Sequence, residues 1–87
     1  MELTDVKSLS AGINFLNLSK AYCIMGISLA DEGNLEAALE NFDKAIETNP
    51  ANHIAYFNRA TIKIDLGDLD GARNDFTRFD SITSKLI

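Results

Sequence analysis

Residues 21–42 read AYCIMGISLADEGNLEAALENF and residues 55–76 read AYFNRATIKIDLGDLDGARNDF. Aligned at an offset of 34, the two stretches share Ala21/Ala55, Tyr22/Tyr56, Asp31/Asp65, Gly33/Gly67, Leu35/Leu69, Ala38/Ala72 and Phe42/Phe76. A unit of this length is a pair of helices that cannot bury its apolar face alone. It stacks on copies of itself, and the curved stack offers a surface to other molecules.

The apolar spacing inside each copy defines the helices. Tyr22, Met25, Gly26 and Leu29 fall on one helical stripe that ends near Asp31. Gly33 suits a left-handed exit, and Asn34 suits a helix cap. Leu35, Ala38, Leu39, Phe42, Ala45 and Ile46 then form a second stripe, with Pro50 just beyond it. The pattern recurs in the second copy. Asn52 can cap a third helix carrying Tyr56, Ala60 and Ile64, Gly67 and Asp68 repeat the punctuation, and a fourth helix turns Ala72, Phe76, Phe79 and Ile82 inward.

Composition narrows the function classes. The 87 residues are 46 % hydrophobic and 24 % charged with one proline, which describes a folding domain of marginal core size. No stretch approaches the length of a membrane span, and Met1 to Ser10 lacks the pattern of a signal peptide, so a cytoplasmic protein is expected. Residues 31–49 hold six acids against one base and carry the whole net charge of −5. Without a basic stripe, nucleic-acid binding is not expected; the acidic stretch reads as a solvated outer helix face. Cys23 is the single cysteine and His53 the single histidine. On separate helices they read as an inner-face apolar residue and a helix-start residue, so no catalytic, metal or cofactor site is expected.

Tyr22-x2-Met25-Gly26-x2-Leu29 followed by Ala38-x3-Phe42, Ala45 and Pro50 resembles the tetratricopeptide repeat. The resemblance covers residues 19 to about 82. It implies an all-α fold of antiparallel helical hairpins stacked as a short right-handed solenoid, divided into residues 19–52 and 53–87. In the second repeat Arg59 and Lys63 replace apolar signature residues, Phe79 replaces a small one and Ser84 replaces the proline, departures that suit the end of a stack. Residues 1–18 precede both repeats as a helical extension or cap. Their apolar period joins that of the first repeat without a phase break, which favours one helix running back to a cap at Ser8 or Ser10. The weak helix formers Asn14, Asn17 and Ser19 argue the other way.

The same resemblance implies that the first helix of each pair lines an inner, concave face. Cys23, Ile24, Ile27, Phe57, Asn58, Thr61 and Ile64 are the partner-binding residues so placed, and Ile24, Ile27, Phe57 and Ile64 would form an apolar strip that needs cover. A family subclass grips a peptide carboxylate with Lys and Asn, but Cys23 and Ile27 stand where those residues would be. Asn58 is left to hydrogen-bond an extended peptide or a neighbouring helix. The expected function is a protein interaction module, an adaptor, scaffold or assembly factor taking a helix or extended peptide. The alternative is a self-associating module whose concave face and amino-terminal arm are used in a homodimer. Two repeats fall short of the roughly three that such stacks need, so a homodimer is expected.

Overall fold

The computed structural model describes residues 3–86, with side chains from Asn14 onward. Four helices follow one another: α1 (Leu3–Asp31), α2 (Leu35–Thr48), α3 (His53–Asp65) and α4 (Leu69–Thr83). α1 pairs with α2 and α3 with α4; α3 packs on α2 and touches α1 lightly. The result is two stacked hairpins, an all-α fold of helical repeats.

Turn chemistry sets the hairpins. Gly33 and Gly67 adopt φ of +83° and +87°, a region that costs glycine nothing and other residues much. The Asn34 and Asp68 amides donate back to the Leu29 and Lys63 carbonyls, closing the preceding helices. Asn52 and Asp68 then cap α3 and α4, their side chains accepting from the Ala55 and Gly71 amides at 3.1 and 2.9 Å. Asn34 differs. It occupies the cap position of α2 by backbone geometry, yet its side chain makes no capping bond.

The core lies between α1 and α2 and continues into α3. Ala38, Ala45, Ala55 and Ala60 are fully buried, and Phe42 is 1 % exposed. Small residues let the helices approach, and the Phe42 ring fills the space they leave. A Cβ at Gly26 would stand 2.7 Å from Cε1 of Phe42. Gly26→Ala gains about 1 kcal/mol in helix propensity, but overpacking against an enclosed ring costs about 1–3 kcal/mol. Urea unfolding should show a net loss of up to about 2 kcal/mol, since the buried ring has nowhere to move.

α1 runs unbroken through Asn14, Asn17 and Ser19 and begins at Leu3, so Ser8 and Ser10 lie inside the helix rather than at its cap. Ser19 explains why weak propensity did not end it. Fully buried, its hydroxyl donates to the Ala45 carbonyl at 2.7 Å and accepts from Nδ2 of Asn52 at 2.9 Å. One side chain therefore ties α1 to the end of α2 and to the cap of α3. Tertiary bonds of this kind, about 1 kcal/mol each, outweigh the few tenths lost in propensity.

Two residues of the expected helical stripes are exposed, Ile64 among them as a residue expected on the uncovered inner face. Met25 is 52 % exposed and Ile64 is 46 % exposed. Met25 faces the side of α1 where a preceding repeat would sit, and no described helix covers it. On α3, Ile62 takes the buried place at 4 % exposure, two residues from Ile64.

Candidate functional site

An open groove of about 530 Å³ runs between α1 and the start of α3. Leu16, Cys23, Ile24 and Ile27 form its α1 wall, and Ala51, His53 and Ile54 form the opposite one. Lys20, Asn49 and Asn52 supply further polar groups, Lys20 being the one lysine of the lining. Leu16, Ile24 and Ile54 are each at least half exposed and Ile27 is 36 % exposed. Period 3.6 brings Leu16, Lys20, Ile24 and Ile27 to one side of α1, while the Asn52 cap sets where His53 and Ile54 begin α3.

The structure brings together three of the seven residues expected on the inner face, Cys23, Ile24 and Ile27. Cys23 is nearly covered, at 4 % exposure, and belongs to the core as much as to the groove. Phe57 turns toward α4, its ring 5.5 Å from Phe76 and 5.3 Å from Phe79. Asn58 donates from Nδ2 to the Ile54 carbonyl of its own helix at 2.8 Å, and Thr61 donates to the Asn58 carbonyl at 2.7 Å. Neither bond crosses to another helix. The apolar strip is thus split: Ile24 and Ile27 lie in the groove, while Phe57 joins an aromatic cluster with Phe76 and Phe79. Leu16, His53 and Ile54 complete the groove, and their helical register with Ile24 and with the Asn52 cap is the sequence signal that points to them.

Arg59 and Lys63, the departures from the family pattern on α3, form an ionic cluster. Asp75 of α4 is 4 % exposed. Arg59 grips it in two places, Nε to Oδ2 at 2.9 Å and Nη2 to Oδ1 at 2.8 Å, and Lys63 Nζ adds a third contact at 3.1 Å. Nη1 of Arg59 reaches Asp43 of α2 at 2.8 Å. One guanidinium therefore joins α2, α3 and α4. Burial alone would push the Asp75 carboxyl up, but hydrogen bonds and charge from Arg59 and Lys63 outweigh it and hold the carboxyl below the ordinary 3.8. The Asp75 hydrogen bonds likewise raise Arg59, against the smaller effect of its own burial.

The sign of the pH dependence follows. A carboxyl depressed in the folded state contributes its full stability above the unfolded value, and loses it as pH falls through the folded one. The thermal unfolding midpoint should therefore fall as pH drops below 3.8, and Asp75→Asn should flatten that acid limb.

Burial pushes the Cys23 thiol up, away from the thiolate that nucleophilic catalysis requires. Among the described residues no group of three or more His, Cys, Asp or Glu could hold a metal, and no described helix is long and apolar enough to cross a membrane.

Comparison with known proteins accounts for this architecture. Two family models, both described as tetratricopeptide repeat, match residues 19–52 and 41–74. The chain belongs to the tetratricopeptide repeat family. The first match spans one hairpin of the repeat, and the second runs from within α2 through α3 into α4. Over 64 residues the chain is 42 % identical to an uncharacterized protein of Methanocaldococcus jannaschii, covering 71 % of this chain and 74 % of that protein. It is 41 % identical over 61 residues to tetratricopeptide repeat protein 36 of Danio rerio, covering 70 % of this chain and 33 % of that one. Similarity to DnaJ homolog subfamily C member 3 of Rattus norvegicus is 39 % over 54 residues, 62 % of this chain and 11 % of that one. The chain thus spans about a third of the zebrafish relative's length and a ninth of the rat one's. No solved structure gives a significant match. Tetratricopeptide repeats are in general protein–protein interaction modules.

Proposed function

We propose that this tetratricopeptide repeat chain binds a protein segment in the groove between α1 and α3, as an adaptor or assembly module without chemistry of its own. The observation that carries the reading is the exposure of Leu16, Ile24, Ile27 and Ile54 around one open groove. Apolar side chains gathered in a concavity of about 300–1,000 Å³ are the usual setting for a ligand. An amphipathic helix fits such a floor by laying one apolar face into it, and an extended peptide fits by alternate side chains. Lys20 on the rim favours a carboxylate beside the apolar anchors.

Peptides selected from a displayed library of 16-residue segments supply the probe. Ile27→Glu should weaken the best selected peptide by about 100-fold or more, because the new carboxylate stays wet in the free protein and must be desolvated in the complex. Helicity should be unchanged. Retained affinity in both Ile27→Glu and Ile54→Glu would remove the groove from the account.

A second reading keeps the surface and changes the occupant: a second copy, using its concave face and amino-terminal arm, forms a homodimer. The distribution of apolar residues all round α1 favours it, since such helices are normally covered on every side. Under that reading Ile27→Glu halves the mass in sedimentation at micromolar concentration.

A further inference from the structure

The two ends of the stack differ in kind. Leu39 and Ile46 of α2 pack against the core and flank Asp43, whose carboxylate holds Arg59 of the next helix. One repeat on, their counterparts on α4 are Arg73, Asp80 and Thr77, all exposed. A surface so charged closes the stack, as terminal repeats with a polar outer face do.

At the opposite end, no described helix covers this side of α1. α3 buries Ala55 and Ile62 fully or nearly so, and it packs on α2. At the same repeat positions α1 bears Ala21 and Ser28, both exposed, and Met25 stands where Arg59 makes its bonds. Leu18, at 44 % exposure, extends the row one turn earlier. Leu18, Ala21, Met25 and Ser28 step by three, four and three, so they form one face of α1, turned about a third of the circumference from the groove stripe of Leu16, Lys20 and Ile27, with Ile24 at its edge. Residues 14–28 contain a single charged side chain, Lys20, and it lines the groove instead.

We infer that this end face of α1 packs against the same face of a second copy, antiparallel across a two-fold axis at Ala21, with Leu18 of each chain against Met25 of the other. Head-to-tail stacking would place the apolar face on Arg73 and Asp80, charges that an apolar contact desolvates at a cost and does not repay. A two-fold contact instead joins the open face to itself and closes the assembly. Ala21 on the axis lets two helices approach closely, and the absence of charge there avoids the like-charge repulsion that a two-fold axis imposes. The inference keeps the second copy of the second reading but moves the contact to a different face of α1. The groove stays free for a ligand.

Sedimentation of the full chain and its variants at micromolar concentration tests this, together with single-cysteine cross-linking. Met25 is half exposed, so Met25→Glu leaves folding intact and should weaken the dimer by about 100-fold or more. Ile27→Glu should leave it unchanged. In a Cys23→Ala background, Ala21→Cys should give covalent dimers with copper phenanthroline as oxidant, because residues on the axis come within the roughly 7 Å that a disulfide spans; Thr77→Cys should not. Added salt should tighten the dimer, since two chains of charge −5 meet through an uncharged face. A monomeric full chain, a dimer lost with Ile27→Glu but kept with Met25→Glu, or equal cross-linking at residues 21 and 77 would each overturn the inference. None of these results alters the test of the groove, which reads peptide affinity.

Discussion

Asp75→Ala should lower stability by about 3–5 kcal/mol, because it leaves Arg59 and Lys63 partly buried with their common anion gone. Asp75 is 4 % exposed, so little water reaches the site to replace the carboxylate. Asp43 cannot take its place: half exposed and on another helix, it accepts one bond from Arg59, and exposed pairs contribute about 0–1 kcal/mol. The whole stability of a domain this small is commonly about 5 kcal/mol, so much of the variant should be unfolded at room temperature. Loss of helical ellipticity with a shifted urea midpoint is the measurement. A midpoint equal to wild type would mean that the cluster is solvated and that α2, α3 and α4 are held by other contacts.

Phe42→Ala should be comparably damaging, about 3–5 kcal/mol, for a different reason. The Phe42 ring fills the space above Gly26 and is 1 % exposed. Removing it leaves a cavity in the crossing of α1 and α2 that neither helix can close, since Gly26 has no side chain to offer and the neighbouring Ala38 and Ala45 are already fully buried. Phe76, the same signature residue one repeat later, is only half buried. Phe76→Ala should cost distinctly less, and the order of the two midpoints checks the asymmetry between the repeats.

The contrast between these residues shows what the sequence makes legible. Helix pairs, their turns and the core of the first repeat follow from local signals: apolar spacing, glycines at positive φ, and caps one residue later. Non-local pairings are harder to see. Asp75 lies among Ala72, Phe76 and Phe79 on the inward arc of α4, and Arg59 and Lys63 lie four apart on an arc of α3 that is apolar in the first repeat. Three charged residues on two facing arcs with opposite sign are a readable signal for an internal cluster, though either arc alone reads as a departure from the family pattern. The inner face was partly legible for a related reason. Periodicity gives the side of α3 on which Phe57 stands, but only the position of α4 sets its ring against Phe76 and Phe79 rather than beside Ile24. Ser19 illustrates the same limit, its low propensity being offset by bonds to Ala45 and Asn52, 26 and 33 residues away.

The groove between α1 and α3 is the central claim, and mapping a bound ligand by NMR tests it most directly. Titrating a library-selected peptide into the isotopically labelled chain should move the amide signals of Leu16, Lys20, Ile24, Ile27, His53 and Ile54, and leave those of the acidic outer face of α2, Glu40, Asp43 and Glu47, in place. Shifts confined to α2, or to the Phe57, Phe76 and Phe79 cluster, would contradict the account.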